Sequence, residues 1–563
     1  MLLLSLLACT STPEVTDSPD PTVDDPAPDA VAADLFDPDV LHELVVTLDP
    51  ADWAALRVQA RSYYDLLGEG CFEGPWESPY TWFEADVSFD GEALGRVGVR
   101  KKGLIGSLSE ERPSLRVDTD HVFDPEAAES GGADARFHGL EKLVFNNGNQ
   151  DPSRLRTCLA HALFADAGLV APRCSLAHVV VNGEDLGVYA HTEAIDEALV
   201  ERVTGAEPVA MYEGALSDFR DDWVVTFEAE TDTSTGAELT AVTAALDSDD
   251  DALLPALDAV LDLDAFFVFW AAESLAGHWD GYNGNTNNFY AYTAEDGRLR
   301  FIASGPDAAF DRLAPFGDDQ PVWVATASAL ANRLSQHEEG RERFEAALTA
   351  LLDTTWDEGA RLARVDAWKD LLQGVSTRDQ RTAIADLRDI VAAREGDIRD
   401  HLGERFAPTD LRAVPCWTSI GTVHVDFTTE WGSYPDGDVL GAGTTVAAYD
   451  IDGTVYPTTA DGTTIGWAGD GTAILLTIST IAPATYLAPY VVFRPEALVR
   501  GEDLPVDGAL VSSQLLYNTP DTNGEWQTAA WLGFGDVRFD ALSVTTGGRV
   551  SGTLDVAVLG SRE

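Results

Sequence analysis

The sequence predicts an α+β chain that ends in an all-β sandwich, on three observations. Up to about residue 408, short alternating strand-like runs intermingle with runs of helical periodicity. From Cys416 onward Thr, Val and Gly rise, and strand-like runs recur between Gly, Asp and Asn turns. A chain of 563 residues, 45% of them hydrophobic, is long for one core, so two or three folded units are expected.

Charge narrows the function classes. The chain carries 96 acidic against 36 basic residues, a formal net charge of −60. Such a surface repels nucleic acid and anionic lipid, so neither is an expected partner. A nucleotide site would need local cations or metal, which makes Lys101, Lys102, Lys142 and Lys369 informative. No Gly-x-Ser-x-Gly or His-Glu-x-x-His speaks for a hydrolase.

The apolar start with Leu6-Leu7-Ala8-Cys9 resembles a bacterial lipobox, in which Cys9 is lipidated. Residues 1–9 are therefore expected to be a lipoprotein-type signal, and 10–38 an acidic Pro/Thr/Asp tether that cannot bury enough surface to fold. This predicts an extracytoplasmic protein of the bacterial envelope or surface, held to the membrane through lipid alone. No Lys or Arg precedes Arg57, which leaves an apolar tip of a disordered tail as the alternative. Of the remaining cysteines, Cys158 and Cys174 flank one helix and are the first choice for a bridge. Buried free thiols are the other reading.

The folded chain is expected from about residue 39. Leu41 to Leu48 reads as a strand, and Asp49-Pro50 opens a helix through Trp53, Leu56 and Tyr64. Trp82 to Phe89 alternates, and Asp90-Gly91 turns it into Leu94 to Val99. That strand ends in Arg100-Lys101-Lys102-Gly103, with Arg112 to Val117 as a second basic strand. In so acidic a chain this is either an anion cradle, with Gly103 and Gly106 admitting phosphate to backbone N–H groups, or a basic strand paired with local carboxylates. Leu143 to Phe145 is a strand. Asp151 is then a helix cap and Pro152 a first-turn residue. Arg156 lies at the cationically unfavourable end of that helix, so a partner is expected, either Asp151 or a ligand. Leu176 to Val181, Asn182-Gly183 and Leu186 to Tyr189 form a hairpin leading through Glu193 into an acidic helix start at Ile195.

The densest stretch is His278 to Asn288, after an apolar helix from Leu263 to Leu275 and before a hairpin of Phe289 to Tyr292 and Leu299 to Ile302. His278-x-Asp280-x-x-x-x-Asn285, with Asp307 downstream, has the spacing by which protein kinases place a proton-accepting Asp, a metal-binding Asn and a metal-binding Asp. A loop rich in Gly, Asn and Asp is also simply a turn. Helical periodicity follows over Trp323 to Leu334, Arg341 to Leu352, Trp356 to Leu372 and Arg378 to Leu402. In the β-rich end, Trp431, Trp467, Trp526 and Trp531 are either core or a carbohydrate or protein contact.

Taken in order, these residues carry a resemblance. It comprises Arg100-x-x-Gly103 with Ser107, Arg112-Pro113-Ser114, and Asp151-x-Ser153-x-Leu155-Arg156. It continues through Val181 to Asp196 (Asn182-Gly183-Glu184, Gly187-Val188-Tyr189, Glu193), Asp280 with Asn287-Asn288-Phe289-Tyr290, and Phe301-Ile302 leading to Asp307-Ala308-Ala309-Phe310. The chain resembles the CotH kinase family of secreted atypical protein kinases. The resemblance implies a kinase-like domain over 39–408, with an upper lobe of about 39–195 and a lower lobe of about 196–408, before a β-sandwich over 409–563. It implies transfer of the ATP γ-phosphate to Ser or Thr of secreted or envelope proteins, with Mg²⁺ or Mn²⁺. Asp280 would be the catalytic acid and Asp307 the metal acid, with Asn285 or Asn287 completing the metal site. Arg100, Lys102 and Arg112 would neutralise phosphates, Glu193 would lie beside the adenine, and Asp151 and Arg156 would support. One departure stands out. The family's Trp-Asp-x-Asp is Ser304-Gly305-Pro306-Asp307 here, so its first acid is a glycine. The alternative is thus a catalytically inactive surface protein used for binding or adhesion.

Overall fold

The computed structural model describes residues 32–561 apart from 69, 124–135, 312–324, 404–407, 415, 435–441, 452, 457–459, 469–472, 483–484, 509–510 and 521–525. The leader with Cys9 and most of the tether lie outside the described residues.

Seven strands close a barrel: β1 (Leu41–Leu48), β2 (Phe83–Phe89), β3 (Glu92–Lys102), β4 (Ser114–Asp118), β5 (Lys142–Asn146), β6 (Cys174–Val181) and β7 (Glu184–Glu193). Their order is β1-β2-β3-β4-β5-β7-β6, and β1 completes the circle by running parallel to β6. Alternating side chains such as Leu44, Val46, Val87, Val99, Val117, Phe145 and Val179 fill it. The same alternation sends Arg100 and Lys102 to the opposite side of β3 from Val99 and Lys101. The helix expected after Asp49 is two: α1 (Pro50–Val58), capped by the Asp49 carboxylate, and α2 (Tyr63–Leu67), capped by Ser62.

Between barrel strands β5 and β6 lies α3 (Arg156–Asp166), and after β7 comes α4 (Glu197–Thr204). A four-stranded sheet follows in the order β11-β10-β8-β9, from β8 (Ala210–Gly214), β9 (Glu228–Ala229), β10 (Phe289–Thr293) and β11 (Leu299–Ala303). Around it pack α5 (Ala237–Leu246), α6 (Asp250–Asp258), α7 (Leu263–Ala276), the short α8 (Tyr282–Asn285), α9 (Ala329–Gln336), α10 (Glu338–Thr354), α11 (Glu358–Leu371) and α12 (Arg378–Arg399). One apolar core, with Phe266, Trp270, Phe301, Phe344, Leu387 and α3 residues Leu159 and Leu163, binds these helices to the sheet.

The C-terminal strands differ from the expected sandwich of two sheets. They form one antiparallel ten-stranded sheet in the order β14-β13-β12-β21-β20-β19-β17-β16-β15, with β18 beside β20. These are β12 (Trp417–Glu430), β13 (Thr444–Ile451), β14 (Thr454–Tyr456), β15 (Ala460–Trp467), β16 (Ile474–Ala482), β17 (Thr485–Phe493), β18 (Asp503–Val506), β19 (Val511–Pro520), β20 (Trp526–Ala541) and β21 (Arg549–Ser561). Register shifts at Ser419/Gly421 and Phe539/Ala541 bend the long central strands. The sheet thereby curls until Gly432 and Tyr434 N–H groups donate to the Ile465 carbonyl on β15, enclosing Val425, Phe427, Ile478, Val491 and Leu554. Trp431 is buried in this core, whereas Trp467, beside it at 6.2 Å, stays 45% exposed. Cys158 and Cys174 are bridged, and Cys71 is bridged to Cys416.

Candidate functional site

The site begins on α7, which is apolar nearly all round and ends at Gly277 in the left-handed region. Within it Glu273 is buried, and its carboxylate accepts from Tyr282 N (3.0 Å), Asn283 N (3.0 Å) and Asn283 Nδ2 (2.7 Å). Burial outweighs those donors and pushes Glu273 up to about 7. A side chain at Gly281 would collide with this carboxylate, so the glycine is required. His278 donates to the Ser304 carbonyl (3.1 Å), and burial pushes it down to about 4.

This frame presents Asp280 to three amides. Asn285 Nδ2 (2.5 Å) and Asn287 Nδ2 (3.3 Å) donate to Oδ1, and Asn288 Nδ2 (2.8 Å) donates to Oδ2. Burial raises the Asp280 pKa, while the three amides favour its anion. The Asn285 Oδ1 oxygen is buried with no hydrogen-bond partner among the described residues.

Asp307 sits on a 3₁₀ turn (Pro306–Ala308) just past β11. Burial, then the charges of Asp151 and Asp280, push it up to about 7, and Lys102 opposes them. Four of the residues singled out in the sequence therefore converge: Asp151, Asp280, Asp307 and Lys102. Lys102 Nζ donates to Asn146 Oδ1 (2.7 Å) and is pushed down to about 8 by burial and by Arg116. Arg100 stands opposite Arg116 across β3 and β4 and stacks on Trp82 at 4.6 Å. Burial, and next the Arg116 charge, lower the Arg100 pKa. Like charges directly opposite in a sheet destabilise it. Among the described residues neither arginine nor Lys102 makes an ion pair with a carboxylate, so this face can receive an anion. Gly103 and Gly106 are explained inside their own loop, where a side chain would strike Ser107 and Gln150.

Asp151 is 1% exposed and accepts from Ser153 N, Ser153 Oγ and Arg156 N. It thus caps α3 from five residues before the helix begins. Arg156 finds its partner within the protein, pairing with Asp311 (2.9 Å) and Asp151 (3.5 Å). Two residues bond to the scaffold instead, Arg112 beside Arg154 at the edge of the cluster and Glu193 away from it. Arg112 donates to the Leu186 and Val188 carbonyls, and Glu193 pairs with Arg173 and Arg202.

Sequence reasoning missed Glu273, which shapes the loop, and it read Asn288 and Arg116 within their motifs without giving either a role of its own. It also missed Arg154, pushed down to about 10 by burial and by Arg112, with Asp151 and Asp307 among its neighbours. Glu213, Glu228 and Glu230, whose carboxylates lie within 4.8 Å of one another, were missed as well. The Glu213 charge opposes the lowering of the Lys102 and Arg100 pKa values.

Acids and cations without ion pairs thus gather beside a strand barrel and a helix-capped loop in an α+β protein. The family described as CotH kinase protein matches residues 99–401, more than half of the chain, and the chain belongs to that family. The match includes every candidate site residue named above except Cys9. Relatives include the inner spore coat protein H of Bacillus subtilis, 29% identical over 103 residues, or 18% of this chain and 28% of that protein. Invasin CotH7 of Rhizopus delemar is 24% identical over 247 residues, or 40% of this chain and 41% of that protein. The chain thus spans less than half the length of the curated relatives it matches.

Proposed function

We propose that the chain is a metal-dependent protein kinase that moves the γ-phosphate of ATP to Ser or Thr of secreted or envelope proteins. The barrel would form the upper lobe and the helical half the lower one. The observation that carries this reading is the convergence of Asp151, Asp280 and Lys102 on Asp307. Asp280 would take the proton of the acceptor hydroxyl as its oxygen bonds the γ-phosphorus and the bond to the ADP oxygen breaks.

The donor set fits Mg²⁺ or Mn²⁺. Hard cations choose oxygen, and Asp307 is a buried carboxyl raised by neighbouring acids, which a cation would relieve. The unpartnered Asn285 Oδ1 favours Asn285 over Asn287 as the amide ligand. When bound, the ion supplies positive charge to the transferring phosphoryl group. Lys102, Arg100 and Arg116 would hold the phosphates, leaving Arg112 and Glu193 to the scaffold.

No helix among the described residues is long and apolar enough to cross a membrane. An extracytoplasmic or surface location agrees with relatives named for a spore coat and for invasion. A lipid on Cys9 and a carbohydrate or protein contact through the C-terminal sheet belong to the same reading. Gly305 favours a second reading, an inactive surface protein used for binding.

The test is transfer of labelled γ-phosphate by the purified chain with Mg²⁺ or Mn²⁺. Transfer abolished by Asp280→Ala and by Asp307→Ala, with the fold retained, is the expected result. A folded parent chain that neither transfers phosphate nor binds ATP with metal leaves the surface-binding reading.

A further inference from the structure

Past α12 the chain lies against the site at Thr409 and Arg412. Thr409 N donates to Thr326 Oγ1 (2.8 Å), and the Thr409 carbonyl accepts from Asn332 Nδ2 (2.6 Å) at the start of the lower helices. Three residues on, Arg412 Nη1 donates to the Asn285 carbonyl at 3.2 Å, and the Asn285 side chain holds Asp280 at 2.5 Å. The Arg412 backbone is itself gripped, its carbonyl accepting from Arg220 Nη1 at 2.8 Å. Arg220 lies over the Trp223 ring at 3.9 Å, and Trp223 meets Phe72 edge-on at 4.5 Å. Phe72 adjoins Cys71, which is bridged to Cys416 four residues past Arg412. The segment is thus fastened at both ends and pressed on the loop between them.

Arg412 is half-buried and makes no ion pair with a carboxylate among the described residues. A desolvated cation without an ion pair costs stability, so packing alone does not explain its charge. The acid whose charge acts on it is Asp280. It also lies outside residues 99–401, the stretch that the family shares.

We propose that Arg412 is a positioning residue for the Asp280 loop, so that the working site includes the segment joining the helical half to the C-terminal sheet. Arg412 acts through Asn285: it fixes the carbonyl of the residue whose amide orients Asp280. The inference about rate rests on the kinase reading; the inference about the loop does not.

The experiment uses the full chain with Arg412→Gln and Arg412→Lys. Hydrogen exchange of amides 280–288 is measured without ligand, and kcat and KM for ATP are measured separately. The expected result is exchange about tenfold faster in Arg412→Gln, with kcat about 10–100-fold lower and KM within about twofold, since small misplacements cost that much. Arg412→Lys recovers part of both. Unchanged exchange in Arg412→Gln overturns the proposal. So does equal loss in both variants together with a lowered Tm, which marks general destabilisation. A parent chain without transfer that still shows the exchange difference upholds the hold on the loop and sinks the kinase reading instead.

Discussion

Gly305 has φ 51°, and a Cβ built there would lie 2.8 Å from Asn288 Oδ1. Asn288 is one of the three amides on Asp280, so the space of the absent family acid is already in use. Gly305→Asp is therefore not a restoration. The left-handed backbone costs a non-glycine residue about 1–2 kcal/mol, and displacing Asn288 removes a donor from Asp280. The expected outcome is a lower Tm by calorimetry and phosphate transfer no higher than the parent's; a several-fold gain in transfer would show Asn288 to be dispensable. The sequence disclosed the missing acid, because that is a local fact. It did not disclose Asn288 as the occupant, because the two residues meet only through the β10–β11 hairpin. Asp280, Asn285 and Asn287 were legible together for the opposite reason: they share one loop.

Among elements, α7 and its loop act as a unit through Glu273. Its carboxyl stands near 4.5 when unfolded and about 7 when folded, because burial opposes the charge. The folded state then binds the proton more tightly, so this contribution to stability is full below about 4.5 and lost as pH rises to about 7. Glu273→Gln keeps one acceptor oxygen, enough for the two Asn283 donors, and does not titrate. Melting measured from pH 4.5 to 7.5 should fall more steeply for the parent than for Glu273→Gln, and parallel curves would refute the assignment. Elements with strong local signals were read nearly to their ends, as with β1, β10, α7 and α12. The start of α3 was placed too early, since Asp151 caps it at a distance through Ser153 and Arg156. Closure of the barrel and the curl of the last sheet were not legible. Alternation tells which side chains face inward, but the β1–β6 pairing and the approach of β15 to Gly432 join residues far apart in sequence.

At the scale of the whole molecule, a net charge of −60 pushes its parts away from one another. The barrel meets the C-terminal sheet through modest surface contacts: Tyr64 against Phe534 at 5.4 Å, Ser62 Oγ to the Asp507 carbonyl at 3.2 Å, and Arg494 with Glu110. Ion pairs of that exposure contribute about 0–1 kcal/mol. The Cys71–Cys416 bridge, spanning 345 residues, is the covalent tie that resists the repulsion. Sequence alone could not choose this pair, because nothing local relates positions so distant. Replacing both cysteines by serine should leave each core folded yet free the 408–416 segment. Limited proteolysis there is expected to quicken about tenfold at low salt, and to slow again as salt shortens the reach of the repulsion to about 3 Å at 1 M. Opening the Cys158–Cys174 bridge, which closes a local loop, should not expose that segment. Phosphate transfer should fall with the first pair in proportion to cleavage, since the same segment carries Arg412 to Asn285. Proteolysis unchanged by the loss of Cys71–Cys416 would mean that the surface contacts hold the sheet in place by themselves, and the bridge would then have no part in the site.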